Sequence, residues 1–227
     1  MIHMTINEAD NVMYGDAEVQ KVYCGDALVW ERGGGHIVPT GYEALDYFDN
    51  QGRYSLNTGL KPMSGTLKFE CSFSPNVDVS VDRVLVGGFL ADPYSLRDAG
   101  TIWLLQEAGK KISVRMRGNY GDYRTQSDVN SVSAGEIVTA SGTFASATTL
   151  TVNGVTYTGI GGAVLARDVW ITGNGAYNQS DVASAKIYFF KFWDGTTLAR
   201  DMVPVKRLSD DKYGMWDFVT QIFYAFG

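Results

Sequence analysis

The chain has 227 residues, of which 45% are apolar and 13% aromatic, enough to build one large core. The net charge is −6 with no long run of Lys or Arg, so nucleic acid is excluded as an expected partner and the charge chiefly favours solubility. No stretch approaches the roughly 20 apolar residues of a membrane-spanning helix, so no membrane partner is expected.

The N-terminus, Met1-Ile2-His3-Met4, has neither the charged nor the apolar region of a signal peptide. A short repeat follows. Val12-Met13-Tyr14-Gly15-Asp16-Ala17-Glu18-Val19 returns ten residues later as Val22-Tyr23-Cys24-Gly25-Asp26-Ala27-Leu28-Val29. Gly-Asp between β-formers reads as a turn, because glycine tolerates the positive φ that tight turns need. Two copies predict a small three-stranded meander. Gly33-Gly34-Gly35 then reads as a flexible linker. The expected organisation is an N-terminal β-rich appendage over 1–32, a glycine-rich linker over 33–40, and one main domain over 41–227.

From residue 41 onward the pattern is strand after strand. Residues 66–73 alternate, with Leu67, Phe69, Cys71 and Phe73 on one face and Thr66, Lys68, Glu70 and Ser72 on the other. Residues 111–117 place Ile112, Val114 and Met116 inward and Ser113, Arg115 and Arg117 outward. The best helix candidate is short, Ser127 to Val132. Asn153-Gly154 between alternating β-formers predicts a hairpin. Residues 186–193 are apolar on both faces, with Ile187 and Phe189 opposite Tyr188, Phe190 and Phe192, which predicts a strand in the middle of the structure. Many short alternating strands with 26 glycines and no long helical period predict an all-β, two-sheet antiparallel sandwich. Cys71 is expected to face the core; whether it pairs with Cys24 is left open by the sequence.

Two segments carry a family resemblance. The first is Tyr42-Glu43-Ala44-Leu45-Asp46-Tyr47-Phe48, Gly52-Arg53-Tyr54 and Asn57-Thr58-Gly59-Leu60-Lys61-Pro62. The second contains Ile187, Phe190, Lys191, Asp194-Gly195, Leu198, Arg200-Asp201, Val203-Pro204-Val205, Arg207, Gly214-Met215-Trp216-Asp217 and Phe223-Tyr224. Together they resemble the opening and closing strands of concanavalin A-like lectin/glucanase (laminin-G-like) domains of phage tail and gut-bacterial proteins, with Trp216 where tyrosine is usual. The resemblance implies a jelly roll whose relatives are mostly carbohydrate-binding or tail-associated modules. It places the protein at a virion or an extracellular cell surface, in a setting where other virion subunits and a homo-oligomer, such as a trimer, are expected partners. It also implies that calcium is a candidate cofactor, for which the loop residues Asp92, Asp98, Asn174 and Asp181 supply oxygen ligands. Arg200-Asp201, and Arg207 with Asp217, read as structural ion pairs of the closing segment.

Catalysis is not expected. Glycoside cleavage needs two carboxylates facing one bond, and Glu43, Asp46 and Asp49 show no such spacing. The two histidines, His3 and His36, lie in the tail and linker, where no base is held rigidly. A sugar site combines aromatic platforms with directional polar groups. Two loops have those ingredients. One offers Arg115, Arg117, Asn119, Tyr120 and Tyr123; the other offers Trp170, Asn174 and Tyr177. The leading expectation is a non-catalytic module binding a cell-surface glycan, ahead of a purely structural virion subunit and, third, a glycoside hydrolase or lyase.

Overall fold

The computed structural model describes residues 38–88, 101–118, 121–162, 164, 168–173 and 182–227, with backbone alone for 117, 118, 121 and 122 and for four short strands between 12 and 31. The chain divides into two compact units, Met1–Tyr42 and Glu43–Gly227. In the first, β1 (Val12–Tyr14) pairs with β2 (Ala17–Val19) and β3 (Lys21–Cys24) with β4 (Ala27–Glu31). The repeat thus yields two separate hairpins in place of one meander. A single residue separates Val19 from Lys21, too few to reverse the chain and pair β2 with β3.

The boundary falls within β5 (Tyr42–Ala44), and the second unit goes on with β6 (Phe48–Asp49), β7 (Leu56–Asn57), β8 (Leu67–Pro75), β9 (Arg83–Gly88) and β10 (Ile102–Glu107). It continues with β11 (Lys111–Gly118), β12 (Gly121–Gln126), β13 (Val138–Phe144), β14 (Ala147–Val152) and β15 (Val155–Ile160). It closes with β16 (Val169–Ile171), β17 (Ala185–Asp194), β18 (Thr197–Arg207), β19 (Lys212–Asp217) and β20 (Ile222–Ala225). No helix is present among the described residues. Six strands form one antiparallel sheet in the order β12-β11-β10-β9-β16-β7. The larger sheet runs β15-β14-β13-β8-β17-β18-β19-β20, with β6 added to β17 and β5 to β18. This is the expected two-sheet jelly-roll sandwich.

The core lies between the sheets. From the large sheet, one cross-strand row brings Val152, Ala140, Cys71, Phe190 and Met202 inward, all buried. A row on its opposite face is polar: Thr156, Thr151, Ser141, Glu70, Lys191 and Asp201. From the small sheet, Ile112, Val114 and Met116 point inward as their alternation predicts. The Asn153-Gly154 hairpin forms as expected, with Val152 opposite Val155 and both turn residues at positive φ, 48° and 85°.

Three local expectations are corrected. Simple alternation along β17 puts Ile187 and Phe190 on opposite faces. Instead the register shifts between Ile187 and Phe189, and Ile187, Phe190 and Phe192 are all fully buried in the core. A β-bulge supplies the extra residue that changes the phase. β17 does sit in the middle of the large sheet, as its two-faced apolar pattern predicts. Residues 127–132 form turns rather than a helix. Ser127 N donates to the Ile112 carbonyl of β11 at 2.8 Å and Val132 N to the Lys110 carbonyl of the turn before it at 3.1 Å, so these amides are used across space and not along a helix. Asp217 does not pair with Arg207. Arg207 makes a bidentate pair with Asp210, at 2.8 and 2.7 Å, while Asp217 lies 3.5 Å from Arg200.

Cys71 is a free, fully buried thiol, and burial pushes its ionisation far upward.

Candidate functional site

The outward face of the six-stranded sheet carries one row of partners that crosses the whole sheet. Asn57 pairs with Trp170, Trp170 with Gly87, Gly87 with Trp103, Trp103 with Arg115, and Arg115 with Arg124. Directly opposed residues in a sheet point to the same face. Their sequence neighbours Leu56, Ile171, Val86, Ile102 and Val114 point into the core. The row therefore faces away from it by strict alternation.

Gly87 is the centre of this arrangement. It has no side chain, so the two indoles stand on either side of a gap two strand spacings wide, about 10 Å. Both indoles are half-buried. The Arg115 guanidinium lies over the Trp103 ring, 5.9 Å from its centroid. Such a contact contributes about 0.5–1 kcal/mol and holds the indole plane in place.

The next rows explain why this end of the face is shaped and the other is filled. Ser113 points outward as expected, yet it is fully buried. It donates to the Glu107 carboxylate, which also receives Arg124. Leu105 and Val84 share that row, and Val182 joins Val84 through a parallel bridge; all three are buried outside the main core. Half of the outward face is thus covered by a small apolar layer and an ion pair. Glu107 is nearly inaccessible, and a carboxylate there is tolerated only because both oxygens are engaged.

Of the sequence-derived candidates, the structure brings Arg115 and Trp170 onto one row. Tyr123 pairs with Met116 and packs against the core, so it belongs to the opposite face. The Arg117 side chain, Asn119, Tyr120, Asn174 and Tyr177 lie outside the described residues, as do the calcium candidates Asp92, Asp98 and Asp181. Among the described residues no group of three or more His, Cys, Asp or Glu side chains could hold a metal. Sequence reasoning missed Trp103, Gly87 and Asn57. A signal for Trp103 existed: in Ile102-Trp103-Leu104 a tryptophan takes the outward position of an otherwise apolar strand.

This architecture is similar to that of solved structures. The LG4-5 domains of the mouse laminin α1 chain match with a TM-score of 0.51 at 12% identity, over 66% of this chain and 41% of that one. The CBM40 module of the Ruminococcus gnavus IT-sialidase, bound to α2,3-sialyllactose, matches with a TM-score of 0.50 at 10% identity, over 67% and 91% of the two chains. The fold is the concanavalin A-like jelly roll. A tailspike protein from the Escherichia coli O157:H7 bacteriophage CAB120 has a TM-score of 0.47 at 10% identity, over 70% of this chain and 26% of that one. This jelly roll spans about two fifths of the laminin structure it resembles. No protein-family model and no curated protein sequence matches the chain.

Proposed function

We propose that this chain is a non-catalytic carbohydrate-binding module that reads a cell-surface glycan on the outward face of its six-stranded sheet. One observation carries the reading: Trp103 and Trp170 flank the side-chain-free Gly87 on a single row, with Arg115 beside them. Sugar rings present C–H faces that stack on indoles, and their hydroxyls take directional hydrogen bonds. Arg115 adds a planar donor for hydroxyl or carboxylate groups of the glycan. The CBM40 module that shares the fold is bound to a sialylated sugar, which fits this reading.

Glu107 does not favour turnover. Arg124 and Ser113 hold it as an acceptor on a buried site, whereas glycoside cleavage asks for two acids facing one bond roughly 5–10 Å apart. The setting at a virion or cell surface, in a phage tail or adhesion protein with neighbouring subunits or as a trimer, rests on the sequence resemblance alone. A purely structural tail or decoration subunit shares that setting and predicts no glycan binding.

The purified protein on a glycan array, with and without added calcium, separates these readings. A defined set of glycans retained by the wild type, and lost with Trp103→Ala and Trp170→Ala, supports the module. Calcium dependence brings in the loop acids. A folded protein that retains no glycan, or that keeps its binding in both variants, refutes the assignment. Release of shortened sugar products would establish an enzyme instead.

A further inference from the structure

A second cleft lies elsewhere on the sandwich, and no residue of the tryptophan row lines it. Residues 45–54, the start of β19 and the last residues of the chain enclose about 700 Å³. That volume is within the roughly 300–1,000 Å³ of small-molecule sites.

Its floor is aromatic and fixed from below. Phe48 is buried in β6, held by pairing to Ile187 of β17. Phe226 stacks on it at 4.0 Å and 13°. Phe226 is itself anchored, since its amide donates to the Tyr213 carbonyl at 3.1 Å and the adjacent Gly227 exchanges two backbone hydrogen bonds with Ser55. Tyr54 and Tyr213 lean on the Phe48 ring, with centroids at 6.0 and 5.8 Å. Tyr47 completes the set, tilted against Tyr188 at 5.9 Å.

The upper surface is accessible and polar. Tyr47, Tyr54 and Tyr213 are 41, 43 and 47% exposed. Their hydroxyls have no hydrogen-bond partner among the described residues. The Asp46 carboxylate and the Gln51 side-chain amide also line the cleft without partners. Unpartnered hydroxyl, amide and carboxylate groups above a ring floor match the alternating C–H faces and hydroxyls of a sugar. Charge narrows the class. Asp211 is paired with Lys206 at 2.6 Å and Lys212 with Asp210 at 3.8 Å, so those charges offset one another. Asp46 and Asp49 remain, against one cation, Lys186, which stands over the Tyr47 ring at 4.6 Å. A sugar bearing a carboxylate or phosphate meets more like charge than opposite charge here.

We infer that this cleft is a second carbohydrate site, selective for a neutral mono- or disaccharide. It stands whether or not the tryptophan row binds a glycan.

Calorimetric titration tests it with glucose, galactose, N-acetylglucosamine, lactose and cellobiose, and with sialic acid and glucuronic acid as acidic counterparts. At least one neutral sugar should bind, and each acidic counterpart should bind more weakly. Tyr54→Leu and Tyr213→Leu should weaken binding roughly three- to tenfold each, the size of an aromatic contact. Asp46→Asn, which keeps shape and fold, should weaken it several-fold. The cleft variants and their reference are titrated in a Trp170→Ala background, which disables the row proposed above; the binding that persists there belongs to this cleft. The inference is overturned if no neutral sugar binds, if the cleft variants bind as the wild type does, if Trp170→Ala removes the binding, or if the acidic sugars bind equally well.

Discussion

The Arg200 guanidinium donates from Nε to the Thr58 carbonyl at 2.8 Å, which ties the closing segment of the sandwich to its opening one. The same side chain lies 3.5 Å from Asp217 and 5.7 Å from the Tyr224 ring centroid. Asp217 is fully buried, yet its carboxylate accepts from the Asp201 and Val219 amides and the Thr220 hydroxyl. Buried charge is sustained here by a complete set of partners.

Removing one member of this group should therefore cost much more than a surface pair would. Asp217→Ala leaves three donors unmatched and takes away the charge beside Arg200, and should destabilise the protein by about 3–5 kcal/mol. Urea unfolding of wild type and variant measures it. A loss below about 1 kcal/mol, the range of exposed pairs, contradicts the buried-network account.

Asp210 sets an acid limit of its own. Hydrogen bonds from Arg207 hold its carboxyl down, from the ordinary 3.8 to about 2. A carboxyl lowered in the folded state stabilises it fully above about pH 4, and that contribution disappears as the pH falls towards 2. Asp210→Asn should melt below the wild type at neutral pH, and the gap should close between about pH 4 and 2. A gap that stays constant over that interval counts against the Arg207 pair as its cause.

Gly142 is required by space. It lies in β13, and a Cβ there would overlap the Thr149 carbonyl oxygen and come 2.9 Å from the Phe69 ring. The obstacle is backbone, which cannot swing aside. Gly142→Ala should destabilise by about 1–3 kcal/mol in the same urea assay. A neutral substitution would mean that β14 is free to move outward.

The Cys71 thiol should be inert in the native protein, because it is buried and its ionisation is pushed far upward. Treatment with iodoacetamide at neutral pH, followed by peptide mass spectrometry, should find it unlabelled until denaturant is added. Rapid native labelling would show that β8 opens frequently.

The legible parts of this fold were those that depend on near neighbours. The alternation of Leu67, Phe69, Cys71 and Phe73, and the Asn153-Gly154 turn, each follow from a few adjacent residues, and both stand in the structure. Ser113 shows where this fails. Its outward direction was legible, but its burial goes with the Glu107 carboxylate to which it donates, a residue of the neighbouring strand. The candidate site has the same character. Arg115 and Trp170 were singled out one at a time, within separate loops. Their common row exists only because β9 and β10 lie between them, and Gly87 contributes by having nothing there. Segment 127–132 was only a short helix candidate; carbonyls of β11 and of the turn before it decide its geometry instead.

The bulge in β17 bears on how such a sequence can vary. Before it, Lys186 and Ile187 pair with β6; after it, Phe190 onward pairs with β18. One residue thus lets a single strand change neighbours while both halves keep their large side chains inside. The bulge is thus a place where the segment can lose a residue and stay in phase: with one residue removed between Ile187 and Phe190, plain alternation still puts both phenylalanines on the face of Ile187.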